Sequence, residues 1–185
     1  MKNIIIVHGA YGNPEENWIP WLKLELEKLG CNVIAPKFPT PEGQSLENWF
    51  KVFREFHYLL TADTIVVGHS LGPAFLLKVI ENLDLSIRSA FFVAGFISHL
   101  GLNEFDEINV SFYNKKFDWK KIKKNCNNFH LYYSDNDPYV PVEKSYEIAK
   151  NLRIEPKLVA GAGHFNSKSG YTKFELLFND IRKEL

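Results

Sequence analysis

The stretch Thr64-Ile65-Val66-Val67-Gly68-His69-Ser70-Leu71-Gly72-Pro73-Ala74-Phe75-Leu76-Leu77-Lys78-Val79-Ile80 decides the fold. Its first four residues are β-branched and do not alternate with polar ones, the pattern of a strand covered on both faces. From Leu71 to Leu83 the apolar residues recur at helical spacing. Between the two lies Gly68-His69-Ser70-Leu71-Gly72, a G-x-S-x-G in the strand–turn–helix setting which that motif requires. Such a turn crowds the backbone two positions either side of the serine, where glycine fits, and holds the hydroxyl out at the helix N-terminus. A plain turn in which Ser70 only caps the helix is the competing reading. The rest of the chain discriminates between them.

Upstream, Ile4 to Val7 is a second continuous apolar run. A helix is predicted after it, with Asn17 as cap, Pro20 in the first turn, Trp18, Leu22, Leu26 and Leu29 on one face, and Gly30 closing it. Residues 31–35 read as a strand, ended by a loop through Pro36, Pro39 and Pro41. Leu46, Trp49, Phe50, Phe53, Phe56 and Leu60 then form a helical stripe. Downstream of the decisive stretch, strands are predicted at 87–94, 129–134 and 156–160, and helices at 142–152 and 171–183. Six strands alternating with five main helices predict a mostly parallel six-stranded α/β sheet flanked by helices, in a single domain over residues 1–185. Residues 95–128 break the alternation with mixed polar, aromatic and lysine-rich character, a length that implies a functional segment or a cover for the site.

The composition restricts the function. The 185 residues are 45% hydrophobic and 24% charged, as in ordinary globular proteins. Twenty-two Lys and Arg balance 22 Asp and Glu, which removes any global electrostatic case for nucleic acid or an anionic membrane. The lysines at 115, 116, 120, 121, 123 and 124 have acidic neighbours and read as a solvated helical face. Cys31 and Cys126 are 95 residues apart without ligand spacing, so neither a disulfide framework nor a zinc site is expected. The first apolar run is too short for a secretory segment and nothing approaches a membrane span, which predicts a cytoplasmic protein. No phosphate loop, dinucleotide fingerprint or HExxH pattern occurs, so no metal and no cofactor are expected. The oligomeric state is left open.

A serine is a weak nucleophile until a base takes its proton and an acid orients that base. Both types occur downstream in order. Ser134-Asp135-Asn136-Asp137-Pro138 follows a predicted strand, and Gly161-Ala162-Gly163-His164-Phe165-Asn166 follows the next. Either Asp135 or Asp137 can face His164. Asp137 is preferred because it lies further past the strand, in the turn that Pro138 stiffens, whereas Asp135 is placed to close that turn through its own backbone. The loop after the first strand, His8-Gly9-Ala10-Tyr11-Gly12, should lie beside Ser70. An oxyanion formed there would be stabilised by the amide of Leu71 and one from this loop, assigned to Ala10 with Tyr11 the alternative. Tyr11, Phe96, Phe112, Tyr139 and Phe165 are candidates for an apolar acyl pocket. His8, His57, His69, His99 and His130 are read as structural or exposed.

Val7-His8-Gly9, Trp18-Ile19-Pro20-Trp21-Leu22, the Pro36-to-Pro41 loop, Gly68-His69-Ser70-Leu71-Gly72, Phe117-Asp118-Trp119, Ser134-Asp135-Asn136-Asp137-Pro138 and Gly163-His164-Phe165-Asn166 together resemble the small serine hydrolases of the YdeN and retinoblastoma-binding protein nine family. The resemblance spans nearly the whole chain. It implies a compact α/β-hydrolase fold that lacks the first strands of the larger fold and has no large cap domain. It also implies a triad of Ser70, Asp137 and His164. Pro73 departs mildly from the pattern, in a helical first turn where proline is tolerated. The expected activity is cofactor-independent cleavage of small carboxylic esters or related acyl compounds through an acyl-enzyme, with a small-molecule acyl substrate as the partner. A peptidase or amidase using the same three residues, and a non-catalytic interaction module on the same scaffold, are the alternatives.

Overall fold

The computed structural model describes residues 2–185. In chain order the elements are β1 (Asn3–Val7), α1 (Ile19–Lys28), β2 (Asn32–Ile34), α2 (Leu46–Phe53), β3 (Ile65–His69), α3 (Gly72–Glu81), β4 (Ile87–Val93), α4 (Asn103–Asn109), α5 (Trp119–Lys124), β5 (Cys126–Tyr133), α6 (Val142–Leu152), β6 (Lys157–Leu158) and α7 (Glu175–Lys183). The strands form one sheet in the order β2-β1-β3-β4-β5-β6. Every pairing is parallel.

Because successive residues of a strand point to opposite faces, the apolar runs divide between two cores. Ile5, Val7, Val66 and Phe92 face α2 and α3, where Trp49, Phe53, Phe75 and Leu77 complete one core. Ile4, Ile6, Ile65, Val67, Phe91 and Val93 face the other way, onto Trp18, Leu22 and Leu26 of α1 and Leu177 and Ile181 of α7. Strands covered on both sides have no polar face to offer water, which is why their sequences do not alternate. The order of strands reverses between β1 and β3. A crevice at the C-terminal ends of the strands is expected at such a switch point.

Several local expectations are corrected. Asn17 does not cap α1: Trp18 occupies that position, and Asn17 adopts φ +57° and accepts from the Ser167 amide at 2.8 Å. Leu29 lies past the last turn and is exposed, so the buried face consists of Trp18, Ile19, Leu22 and Leu26. The second helical stripe is α-helical only to Phe53 and continues as a 3₁₀ segment, Arg54–Leu59. Residues 95–128 hold two helices beyond the expected five, α4 and α5, with Asp118 capping α5 through the amides of Lys120 and Lys121. Buried Lys78 of α3 fixes this segment, with its ammonium 4.1 Å from the centre of the Phe117 ring and bonded to the Lys116 carbonyl at 3.0 Å. β5 begins at Cys126, before the expected start, because Ile87 pairs with Cys126 despite the polar Asn127-Asn128 that follows. β6 is an edge strand of two residues, paired only through Lys157 and Leu158. α7 starts at Glu175 because Tyr171 and Phe174 pack their rings on Phe165 instead of coiling. No helix is long and apolar enough to cross a membrane among the described residues.

Candidate active site

Ser70 sits between β3 and α3 with φ +59°, a left-handed conformation that a non-glycine residue adopts at a cost. Its amide is held by the Val93 carbonyl of the neighbouring strand at 2.9 Å. The two motif glycines are there for space. A Cβ on Gly68 would lie 2.8 Å from the Pro73 nitrogen, and one on Gly72 would lie 2.7 Å from the Val7 carbonyl oxygen. Any larger residue would force β1, β3 and α3 apart. The Ser70 hydroxyl therefore projects from a tight turn into a cavity of about 580 Å³, which His164 also borders. It has no hydrogen-bond partner among the described residues. Ser70 is 7% and His164 8% exposed, so both are largely shielded from bulk water.

Nδ1 of His164 lies 2.7 Å from Oδ2 of Asp137. The carboxylate can only accept, so Nδ1 carries the hydrogen and Nε2 is left free on the cavity side. The other oxygen of Asp137 accepts from the amides of Tyr139 at 2.9 Å and Val140 at 3.0 Å, which locks the carboxylate. The Tyr139 ring stands edge-on to the imidazole, 5.1 Å between centres. Asp135 does not close its own turn, as the sequence suggested. It accepts from the Gly161 amide at 2.7 Å, and the Asn136 side-chain oxygen accepts from the Gly163 amide at 2.7 Å. Three consecutive side chains thus bind the loop that carries the histidine, and Asp137 itself does the turn closing.

His8 is structural. Its Nε2 accepts from the Phe38 amide at 2.9 Å, which leaves Nδ1 to donate to the Gly9 carbonyl at 2.7 Å. Burial holds this imidazole below its ordinary range and therefore neutral. In the loop that follows, the Tyr11 amide is already used, donating to Oγ1 of Thr40 at 2.7 Å. The amides of Ala10 and Leu71 have no protein acceptor among the described residues. Thr40 in turn donates to Gln44 and Gln44 to Asn109, whose side chain donates to the Phe105 carbonyl at 2.8 Å. One chain of hydrogen bonds connects the Tyr11 loop to the far wall of the cavity.

That wall comes from the irregular segment. Leu100, Leu102 and Phe105 line it, and sequence periodicity offered no signal for them. Asp106 holds it in place by accepting from the amides of Leu100, Gly101 and Leu102 at 2.8, 2.7 and 2.9 Å. Of the aromatic candidates, Tyr11 and Tyr139 border the cavity. Phe96, Phe112 and Phe165 do not: all three are fully buried. Phe96 backs Phe105, Phe112 packs on Trp49, and Phe165 packs on Phe174 in the opposite core. Aromatic identity near a strand end does not reveal which side of the backbone the ring takes.

His69, which the sequence alone reads as structural or exposed, is buried and borders the cavity. Its Nε2 donates to the His164 carbonyl at 2.9 Å. Burial, reinforced by neighbouring His164, pushes its pKa down to about 3, so it stays neutral. Its ring faces Trp18, whose indole nitrogen donates to the Phe165 carbonyl at 3.0 Å. No group of three or more His, Cys, Asp or Glu side chains suited to a metal ion comes together among the described residues.

A parallel sheet that presents a serine on a strained strand-to-helix turn, with an aspartate and a histidine on later strand-end loops, defines the α/β hydrolases. The serine hydrolase family model matches residues 4–183, and the chain belongs to that family of hydrolases. It is 28% identical over 181 residues to YdeN of Bacillus subtilis (strain 168), covering 96% of this chain and 93% of that protein. Serine hydrolase RBBP9 of Rattus norvegicus is 26% identical over 184 residues, covering 98% and 94%. The crystal structure of the B. subtilis ydeN product superposes with a TM-score of 0.92 at 25% identity, covering 100% and 98%. Est1E of Butyrivibrio proteoclasticus, solved with ferulic acid bound, shares the fold with a TM-score of 0.71 at 16% identity, covering 98% and 90%.

Proposed function

We propose that the protein hydrolyses small carboxylic esters or related acyl compounds through Ser70, His164 and Asp137. The observation that carries this reading is the 2.7 Å contact between His164 Nδ1 and Asp137 Oδ2, beside an unbonded serine hydroxyl at a strained turn. His164 Nε2 takes the Ser70 proton as Oγ attacks the carbonyl carbon. Asp137 holds the tautomer and stabilises the imidazolium. The developing oxyanion takes hydrogen bonds from the amides of Leu71 and Ala10, the loop amide left free when Tyr11 donates to Thr40. The imidazolium then protonates the leaving alcohol, and water, deprotonated by the same nitrogen, releases the acid from Ser70. No step calls for a cofactor.

The cavity, at about 580 Å³, is within the range of small-ligand sites. Its apolar wall of Leu100, Leu102 and Phe105, with Tyr11 and Tyr139 at its edge, suits an acyl chain. Steady-state hydrolysis of p-nitrophenyl esters of increasing acyl length, beside matched aminoacyl anilides, tests the proposal. Ester turnover well above anilide turnover, lost in Ser70→Ala, is expected. Anilide turnover equal to or above ester turnover would indicate a peptidase or amidase instead. Hydrolysis of neither by a protein with an unreactive Ser70 would indicate a non-catalytic module.

A further inference from the structure

The backbone around His164 is held against its own preference. Phe165 has φ +50° and Gly163 φ +55°, so left-handed residues flank the histidine on both sides. For a bulky side chain such as Phe165 that conformation is unfavourable, and it persists only where the surroundings over-determine it. Asp137 fixes one nitrogen of the imidazole, and the rings of Tyr139 and His69 pack against it. Where Nε2 points relative to Ser70 also depends on the backbone that carries the ring, the peptide units of residues 164 and 165.

Two ring N–H groups from other parts of the chain meet those peptide units. His69 Nε2 donates to the His164 carbonyl at 2.9 Å, and Trp18 Nε1 donates to the next carbonyl, that of Phe165, at 3.0 Å. A carbonyl only accepts, so both ring nitrogens carry hydrogen. Trp18 is fully buried. Its ring packs edge-on against His69, with centres 5.8 Å apart, and against Phe174, with centres 6.1 Å apart. The His69 ring lies 4.9 Å from that of His164. Helix α1, the serine turn and the histidine loop are thus joined at one point.

We propose that Trp18 and His69 are positioning residues: a pair of buried ring donors that hold consecutive carbonyls of His164 and Phe165 and so keep the imidazole aimed at Ser70. The inference rests on the catalytic reading of Ser70 and His164 given above. Trp18 does not itself line the cavity, although its neighbours Asn17 and His69 do, so its effect should fall mainly on turnover. It also gives the Trp18-Ile19-Pro20-Trp21-Leu22 segment a purpose beyond packing.

The test uses the whole protein and p-nitrophenyl acetate, with active sites counted by a fluorophosphonate so that turnover is expressed per competent molecule. Trp18→Phe keeps the ring and removes the N–H. It should lower kcat by about 10- to 100-fold with KM nearly unchanged, because small misplacements of a reacting group are costly. His69→Leu should lower kcat likewise, with some change in KM because His69 also borders the cavity. His69→Gln, whose side-chain amide can donate from a similar position, should recover about tenfold of that loss. Wild-type kcat per active site in both Trp18→Phe and His69→Leu, or a change confined to KM, would overturn the proposal. If Trp18→Phe does not fold, the His69 pair decides: equal rates for His69→Leu and His69→Gln overturn it. A Ser70→Ala control separates the two levels. If that variant still turns over, the catalytic reading fails and the positioning role with it. If it is inactive while the Trp18 and His69 variants are fully active, the positioning role alone fails.

Discussion

A methyl group added to Gly9 would lie 2.7 Å from Cβ of Ser70 and 3.2 Å from its Oγ. The first-strand loop is therefore pressed directly against the serine, with the adjacent carbonyl of Gly9 tied back by His8. Gly9→Ala must displace either the serine or the loop that carries the Ala10 amide. A loss of about 10- to 100-fold in kcat is expected, with the circular-dichroism spectrum unchanged. Wild-type kcat in a folded Gly9→Ala would mean that the contact has no bearing on the chemistry.

The two aspartates of the Ser134–Pro138 turn should separate cleanly. Asp137→Asn replaces an acceptor-only carboxylate with a group able to donate to Nδ1, which reverses the imidazole tautomer and lowers turnover by up to about 10⁴-fold. Asp135→Asn keeps an oxygen for the Gly161 amide and should leave turnover close to wild type. Steady-state kinetics at matched foldedness distinguish them, and the opposite pattern would reassign the acid.

The strands and the order Ser70, Asp137, His164 were legible because a doubly covered strand must be apolar throughout and G-x-S-x-G is a contiguous strand–turn–helix motif, even though Gly72 answers to distant Val7. β1, β3 and β4 were readable for the first reason, and the turn at Ser70 for the second. What was illegible depends on distant partners. α4 and α5 are short, and α4 is organised by a buried carboxylate and not by an apolar stripe, so periodicity did not reveal them. The cavity wall of Leu100, Leu102 and Phe105 goes unseen with them, while Phe96, Phe112 and Phe165, aromatic residues on or near strand-end loops, turn into the cores instead of the pocket. His69 and Trp18 meet the His164 loop from 95 and 147 residues away in sequence, and no local pattern reports that.

Buried His69 also makes stability depend on pH. Its pKa is pushed down to about 3 by burial and then by His164, whereas in the unfolded chain it binds a proton near its ordinary 6.5. Between those values the unfolded chain holds more protons, so stability falls as pH is lowered through that window. His69→Gln cannot titrate. The stability advantage of the wild type over this variant should shrink from pH 7 to pH 4, measured by urea midpoints. A pH-independent difference would contradict the burial of a neutral imidazole.

Asp106 should control the cavity wall. Burial alone would raise its carboxyl, but the amides of Leu100, Leu102 and Gly101 and the Tyr113 hydroxyl outweigh that and hold it below its ordinary range. Asp106→Ala leaves three amides without an acceptor, at a cost of about 1–3 kcal/mol. Faster hydrogen exchange at residues 100–102 is expected, with a higher KM for longer acyl chains and little change for acetyl. Unchanged exchange there would mean that other contacts order the segment.

The proposed mechanism requires the Ser70 hydroxyl to be an activated nucleophile. A fluorophosphonate reacts with such a serine and ignores ordinary ones. Peptide mass spectrometry of the labelled native protein should place a single adduct on the peptide containing Ser70, with labelling abolished in Ser70→Ala and strongly slowed in a folded His164→Ala. Native protein that takes up no label, or carries it on another residue, would rule out Ser70 as the nucleophile.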